Sequence, residues 1–236
     1  MPRVTIPQPQ AIVLDFLSTA IKAGFIEKGL YAYTRKNGKQ IIVQKWAQQE
    51  FKDLVAKVRR QVRRDRRSNE DIPVVPERGA PIGEQQESLF NNIIWYLDNK
   101  RETSAHYKIK FAMYEQGFQE GKLVSHVYAD VARNLRRWKE KGIKIFIYSN
   151  AWVKTQKMFM AKTNHGELES AITGYFDTQD IGEPTSSESF QKLIEKTGIP
   201  ADQTVFLTKG VAEGEAAKAA NIHSILVSNC ILLNYF

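Results

Sequence analysis

Near its start the chain reads Ala11-Ile12-Val13-Leu14-Asp15, a short apolar run that ends at a carboxylate. An uninterrupted apolar run of this length is typical of a parallel strand that is buried on both faces. Similar runs follow at 143–148, 204–208 and 224–228, and the residues around 171–176 indicate a short strand or a turn. Because helical patterns separate these runs, the chain is predicted to be α/β, with a Rossmann-like, doubly wound parallel sheet.

The residues between the first two strands have a helical pattern. Apolar residues recur there at helical spacing in three segments, which are predicted to be helices. The three segments are 45–67, 84–101 and 104–120. Residues 68–83 hold three prolines and two glycines and are predicted to form a loop. Two domains are therefore expected: an α/β core made of 1–20 and 122–236, and an all-helical cap, 21–121, inserted after the first strand.

The composition excludes several classes of protein. Hydrophobic residues make up 42% of the 236 residues, which is enough for a buried core and too much for a disordered chain. The single cysteine, Cys230, cannot form a disulfide within the chain or a structural zinc site. No apolar run approaches the roughly 18 residues that cross a bilayer, and the N-terminus lacks the apolar segment of a secretory signal. We therefore expect no membrane association and a cytoplasmic location, with the nucleus as the alternative.

The chain is basic, with 34 lysines and arginines against 26 acidic residues, and its net charge of +8 favours anionic partners. Seven of the cations fall within residues 57–67 and are opposed there only by Asp65. We call them the basic cluster, which consists of Lys57, Arg59, Arg60, Arg63, Arg64, Arg66 and Arg67. The cluster is either a solvated helix face, a nuclear-localisation-like patch, or a contact site for nucleic-acid phosphates or an acidic protein. No aromatic-rich platform accompanies it, which argues against sequence-specific recognition of nucleic acid.

Three polar side chains follow predicted strands. Asp15 ends the first strand, Ser149 ends the second, and Lys209 follows the strand at 204–208. In open parallel sheets, ligands bind beyond the carboxyl ends of the strands. These three residues are therefore candidates for a binding or catalytic site.

The order of these features resembles the haloacid dehalogenase phosphatases, because a strand ending in Asp15 precedes a helical insertion and a later strand ending in Ser149. Longer matches narrow the resemblance to the enolase-phosphatase (acireductone synthase) family of methionine salvage. The similarity runs from about 104 to 228, weakens over 20–103 and returns at 11–19. The matching stretches, which agree in order and spacing, are 114–121, 127–131, 145–149 with Gln156-Lys157, 174–178, 187–190 and 205–208.

The resemblance implies a set of catalytic positions, of which some hold the family residue. Asp15 stands at the position of the nucleophile, and Ser149-Asn150 at that of the pair that binds the phosphoryl group. Three positions have changed: Leu17 replaces the acid/base carboxylate, Pro184 the phosphate-binding lysine and Lys209 the aspartate that binds Mg²⁺. Further departures from the family pattern are found at Ser18, Trp152 and 228–230.

These replacements remove groups that phosphoryl transfer requires. Without a cation, a phosphate oxygen and the Asp15 carboxylate repel by roughly 4 kcal/mol at about 4 Å and an effective dielectric near 20. A lysine at position 209 removes an oxygen ligand and repels Mg²⁺, and loss of the general acid lowers a rate by about 10²–10⁴-fold. We hypothesise that Lys209 instead forms an ion pair with Asp15, the alternative being that Lys209 extends into solvent.

The sequence therefore predicts an enolase-phosphatase-like pseudophosphatase, a catalytically inactive binding or scaffolding module with an unidentified protein partner. No cofactor is expected for this function. The first alternative is an active, Mg²⁺-dependent phosphomonoester hydrolase that acts on 2,3-diketo-5-methylthiopentyl-1-phosphate in methionine salvage. The second alternative is a basic module that contacts nucleic acid or an acidic protein weakly through 57–67.

Overall fold

The computed structural model describes residues 8–17 and 19–227 of the chain. Within these residues, parallel strands form a five-stranded sheet in the order β3-β2-β1-β4-β5. The strands are β1 (Ala11–Asp15), β2 (Lys144–Ser149), β3 (Gly174–Asp177), β4 (Thr204–Thr208) and β5 (His223–Leu226). The prediction of an α/β fold with a parallel sheet is confirmed. Ser18 and 228–230, which depart from the family pattern, lie outside the described residues.

Nine α-helices accompany the sheet in the described part of the chain. Those before β2 are α1 (Ala32–Lys45), α2 (Gln49–Asp65), α3 (Ile82–Asp98), α4 (Ser104–Gln119) and α5 (Ala129–Glu140). Those after β2 are α6 (Val153–Ala161), α7 (Thr178–Ile181), α8 (Ser187–Thr197) and α9 (Val211–Ala219). Helices α2, α3 and α4 correspond to the three helices predicted from the sequence. No helix within 8–17 and 19–227 is both long enough and apolar enough to cross a bilayer.

The described residues form two compact units. The helical unit is Ile26–Leu123 and contains α1–α4. The sheet unit consists of the described residues up to Phe25 and from Val124 onwards, and it contains the five strands with α5–α9. The expected domain boundaries lay nearby, after residues 20 and 121. A role of the helical unit as a cap stays a prediction.

The core of the sheet unit surrounds β1, which is the central strand. Residues 11–14 are each at most 1% exposed, because helices cover both faces of a doubly wound sheet. Rings from three elements pack together on one face. The ring of Phe190 on α8 lies 5.5 Å from that of Tyr148 on β2 and 4.9 Å from that of Phe206 on β4, between centroids. Such aromatic packing stabilises one arrangement of these elements.

The strand register brings several carboxyl ends to one edge of the sheet. Asp15 lies opposite Tyr148 of β2, and Leu14 lies opposite Leu207 of β4. Asp15 therefore lies level with the carboxyl ends of both neighbouring strands. The loops that follow β1, β2 and β4 all begin at this edge, where ligands bind in folds of this class.

In the helical unit, a proline-containing loop, 66–81, is fastened to the helices on either side of it. Arg59 on α2 donates from Nε to the carbonyl of Pro76 at 2.6 Å, and from a terminal nitrogen to Gln85 Oε1 on α3, also at 2.6 Å. Asn92 on α3 donates to the carbonyl of Pro73 at 2.7 Å. Loop carbonyls have no partner in a helix or sheet, so they require such donors when they are buried.

The basic cluster is consequently not one exposed surface. Arg59 is only 6% exposed, because its guanidinium is directed into the proline-containing loop. Arg66 donates to the carbonyl of Glu70 at 2.7 Å. The expectation that all seven cations are available to a partner is therefore corrected, since Arg59 and Arg66 stabilise the loop. The exposed members are Lys57, Arg60, Arg63, Arg64 and Arg67.

Gly117 on α4 lies where two side chains approach the helix closely. A Cβ at this position would lie 2.7 Å from Leu123 Cδ1 and 2.7 Å from Tyr33 Cζ. We expect Gly117→Ala to lower the free energy of unfolding by about 1–3 kcal/mol, in spite of a gain of about 0.5–1 kcal/mol in helix propensity. Chemical denaturation followed by circular dichroism measures the change. Gly83→Ala is the control, because no atom lies within 4 Å of its added Cβ, and an equal effect of both substitutions would contradict the steric argument.

Candidate active site

Thr19 joins the loop after β1 to the loop after β4. The Thr19 hydroxyl donates to Asp15 Oδ2 at 2.5 Å. Thr19 Oγ1 also accepts a hydrogen bond from the backbone N–H of Lys209 at 3.3 Å. Thr19 is buried, so these bonds are shielded from water. The structure thus brings Asp15 and the backbone of Lys209 to one site.

The Asp15 carboxyl is held in an environment that disfavours its charge. Burial, the largest cause, and the nearby negative charge of Glu213 raise the pKa of Asp15 from 3.8 to about 7. Hydrogen bonds with Thr19, with the backbone of Phe16 and with Thr208 act in the opposite direction and are weaker than burial. Near neutral pH, the protonated and ionised forms of Asp15 are therefore present in comparable amounts.

Glu213 is a candidate residue that the sequence analysis did not single out. It lies in the first turn of α9, and the hydroxyl of Thr208 donates to its Oε2 at 2.5 Å. The N–H of Gly210 donates to Thr208 Oγ1 at 2.9 Å, which fixes that hydroxyl. The available signal was a carboxylate four residues after Lys209, at a helix N-terminus, where an anion is favoured. The site therefore contains two carboxylates, Asp15 and Glu213.

Lys209 does not pair with Asp15. Its ammonium lies 5.0 Å from the centroid of the Tyr128 ring, and Lys22 lies over the same ring at 5.9 Å. The ion pairs between described residues do not include Lys209 with Asp15, so the hypothesised pair is not formed. An aromatic face attracts an ammonium that stays partly hydrated, whereas pairing with a buried carboxylate requires its full desolvation.

Leu17 and Pro184 supply no group that could transfer a proton or bind phosphate. Leu17 is half-buried, and its backbone forms an isolated bridge with Ile21. Pro184 is buried in the turn before α8. Just ahead of it, Gly182 adopts a φ of +102°, and its carbonyl accepts a hydrogen bond from the Tyr148 hydroxyl at 2.7 Å. Contacts within the protein therefore fix this segment, which needs no phosphate to order it.

Ser149 and Asn150 form the turn between β2 and α6. The buried Ser149 hydroxyl accepts a hydrogen bond from the N–H of Ala151 at 3.2 Å and donates to Asn150 Oδ1 at 3.4 Å. Asn150 is exposed. The hydroxyl thus already serves the turn that leads into α6, and binding a phosphoryl oxygen would require its proton to turn away from Asn150.

The residues at this site do not supply the full set of ligands for the Mg²⁺ ion that the resemblance implies. Among the described residues, no group of three or more His, Cys, Asp or Glu side chains is arranged to hold a metal. The site offers two carboxylates, Asp15 and Glu213, and the pKa of Asp15 is raised to about 7. Lys209 stands at the position where the family has the aspartate that binds Mg²⁺. Mg²⁺ requires a nearly octahedral set of oxygen ligands, to which an ammonium contributes none.

Comparisons with known sequences place these observations in context. The family model of haloacid dehalogenase-like hydrolases matches residues 10–221. Enolase-phosphatase E1 of Naegleria gruberi is 30% identical over 224 residues, which cover 95% of this chain and 88% of that protein. Enolase-phosphatase E1 of Xenopus tropicalis is 27% identical over 225 residues, with coverage of 94% and 86%.

Solved structures show the same fold. The UTR4 protein of Saccharomyces cerevisiae superimposes with a TM-score of 0.68 at 20% identity and covers 92% of this chain and 90% of its own. CbbY of Rhodobacter sphaeroides, solved in complex with phosphate, gives a TM-score of 0.55 at 12% identity, with coverage of 94% and 87%. At these identities the likeness concerns the fold alone.

Proposed function

Because the chain belongs to the haloacid dehalogenase-like hydrolase family, we propose that it is an enolase-phosphatase-like pseudophosphatase, which binds a protein partner and does not hydrolyse phosphate esters. One observation carries this proposal. The ammonium of Lys209 lies 5.0 Å from the centroid of the Tyr128 ring. Burial and the negative charge of Glu213 raise the pKa of Asp15, and no cation forms an ion pair with Asp15 among the described residues.

Neither protonation state of Asp15 suits nucleophilic attack on a phosphate monoester. The protonated form is a poor nucleophile, and its share is large because the pKa is about 7. The ionised form meets a dianionic substrate, and Glu213 adds to the repulsion instead of offsetting it. In phosphoryl transfer, positioning and charge neutralisation supply nearly all of the catalysis. A site that lacks a neutralising cation therefore lacks the main source of rate acceleration.

Proton transfer to the leaving group is also without a donor at the expected position. The aliphatic side chain of Leu17 carries no exchangeable proton. A positioned general acid accelerates a reaction by about 10²–10⁴-fold. The rate lost with this acid is multiplied by the rate lost with the neutralising cation. We therefore expect turnover at or near the uncatalysed rate.

The direct test is a phosphatase assay with purified protein and Mg²⁺. The substrates are 4-nitrophenyl phosphate and 2,3-diketo-5-methylthiopentyl-1-phosphate, with the enolase-phosphatase E1 of Naegleria gruberi as the positive control. We expect the chain and its Asp15→Asn variant to release phosphate at the same background rate. Release that depends on Mg²⁺ and disappears in Asp15→Asn would overturn the proposal.

A working Mg²⁺-dependent enolase-phosphatase is the second candidate, and the presence of both Asp15 and Glu213 favours it. Two carboxylates can hold Mg²⁺ when substrate phosphate and water complete the coordination. In that case Glu213→Gln would abolish release of phosphate from the diketo substrate together with Asp15→Asn. Equal background rates for the chain and for both variants would exclude it.

A further inference from the structure

Four arginines of the basic cluster surround a cleft on the exposed side of α2 and the turn that follows it. The cleft has a volume of about 280 Å³. Its lining in the described chain consists of Arg60, Arg63, Arg64 and Arg67. Arg63 and Arg64 lie three and four residues after Arg60, on the same face of α2, and Arg67 follows in the turn after the helix. Four arginine side chains therefore line one small volume.

Few groups of the helical unit neutralise these charges. Arg63 forms an ion pair with Glu77, and Arg64 donates to Gln61 Oε1 at 2.7 Å. The side chains of Arg60 and Arg67 make neither an ion pair nor a hydrogen bond with any residue that the structure describes.

The helix dipole alone does not explain the arrangement. It favours cations in the last turn of α2, where Arg63 and Arg64 lie. Arg60 lies one turn earlier, beyond the range of that effect. Like charges three or four residues apart destabilise a helix, so this spacing works against the stability of α2. Four arginines around one cleft are favourable for binding an anionic ligand, although their repulsion destabilises the helix itself.

We infer that this arginine cleft binds the phosphodiester backbone of nucleic acid without regard to base sequence. Guanidinium groups match phosphate oxygens with two parallel hydrogen bonds and lose less hydration than ammonium groups do. An interface with a protein is centred on apolar and aromatic side chains, and none lines this cleft. The same absence leaves no surface on which bases could stack, so recognition would not extend to sequence. This inference does not depend on loss of phosphatase activity, because the two sites use different residues.

Fluorescence anisotropy with a labelled single-stranded oligothymidylate tests the inference on the full chain. Arg60→Gln combined with Arg67→Gln removes the two unpaired cations. We expect affinity to fall by about tenfold or more near 50 mM salt. Loss of two phosphate contacts should also reduce the slope of log K against log salt by about 1.4, since each contact to a single strand contributes roughly 0.7.

The matched control is Lys36→Gln combined with Lys218→Gln, which removes the same net charge at exposed positions outside the cleft. The control should retain the affinity and the salt slope of the parent. Undetectable binding by the parent would overturn the inference, as would equal losses in both double variants. Displacement of the probe by polyglutamate as readily as by unlabelled oligothymidylate would also overturn it, because a carboxylate-bearing protein would then fit equally well. Circular dichroism confirms that each variant is folded.

Discussion

Lys209→Asp is expected to give the chain a Mg²⁺ site that the parent lacks. The substitution adds a carboxylate beside those of Asp15 and Glu213 and removes an ammonium from the same edge of the sheet. At a Mg²⁺ concentration about 100 times the dissociation constant, binding raises the free energy of unfolding by about 2.7 kcal/mol. For a chain of this size, that corresponds to a rise in melting temperature of roughly 5–10 °C. Differential scanning calorimetry with and without MgCl₂ measures it.

Lys209→Met is the matched control, because it removes the ammonium without adding an oxygen ligand. Mg²⁺ should leave the melting temperatures of the parent and of Lys209→Met unchanged. A rise in the parent equal to that in Lys209→Asp would show that Asp15 and Glu213 already suffice to bind the ion. The proposal that the site lacks a neutralising cation would then fail.

Catalysis needs more than the metal. Adding Leu17→Glu and Pro184→Lys to Lys209→Asp supplies a proton donor and a cation for the phosphoryl oxygens. We expect the triple variant to release phosphate from 4-nitrophenyl phosphate at least about 10²-fold faster than Lys209→Asp alone, which is the lower end of the effect of a general acid. If the triple variant binds Mg²⁺ and shows no such gain, these positions do not carry the roles that the family resemblance assigns to them.

Asp15 is expected to make the chain less stable as pH rises from about 4 to about 7. Its pKa is about 7 in the folded protein and near 3.8 when exposed, so the folded state retains the proton over this interval. The stabilisation is complete below about pH 3.8 and is lost as pH rises through about 7. The shift of roughly 3 pKa units corresponds to about 4 kcal/mol. Asp15→Asn removes this dependence, so the stability of the variant relative to the parent should increase from pH 4 to pH 7 and stay constant above that pH.

Urea denaturation of both proteins across this pH range measures the difference. The comparison with the parent is necessary because His106 also titrates in this range. Burial lowers the pKa of His106 to about 4, so both proteins lose stability as pH falls below about 6.5, which is the opposite of the effect of Asp15. This background cancels between parent and variant. A stability difference that stays constant with pH would contradict the buried, unpaired carboxylate described here.

The sequence predicted those features that depend on local patterns. The apolar run before Asp15, with its flanking helical patterns, sufficed to predict a parallel sheet, because a strand buried on both faces has no polar side. For 171–176 the sequence predicts a strand or a turn, and the structure contains both: a 3-10 turn, Glu169–Ala171, is followed by β3.

The features that the sequence missed depend on tertiary contacts. The burial of Arg59 could not be predicted, because its helical position lies beside the apolar face and its partners, the Pro76 carbonyl of the loop and Gln85 on α3, are brought to it by the tertiary fold. The orientation of Lys209 toward Tyr128 depends on a ring 81 positions away in the chain. The position of Glu213 at a helix N-terminus is visible in the sequence, but its effect on the pKa of Asp15 depends on the fold.

The fastening of loop 66–81 has a consequence for the order in which the helical unit folds. Its donors, Arg59 and Asn92, come from α2 and α3, and Arg59 also bonds to Gln85 on the second of these helices. The loop can therefore dock only after both helices have formed and come together. Docking lowers the conformational entropy of the loop, and this cost is offset only when those donors are in place. The loop is thus a late-forming element, and its amides should exchange with solvent deuterium sooner than those of α2 and α3.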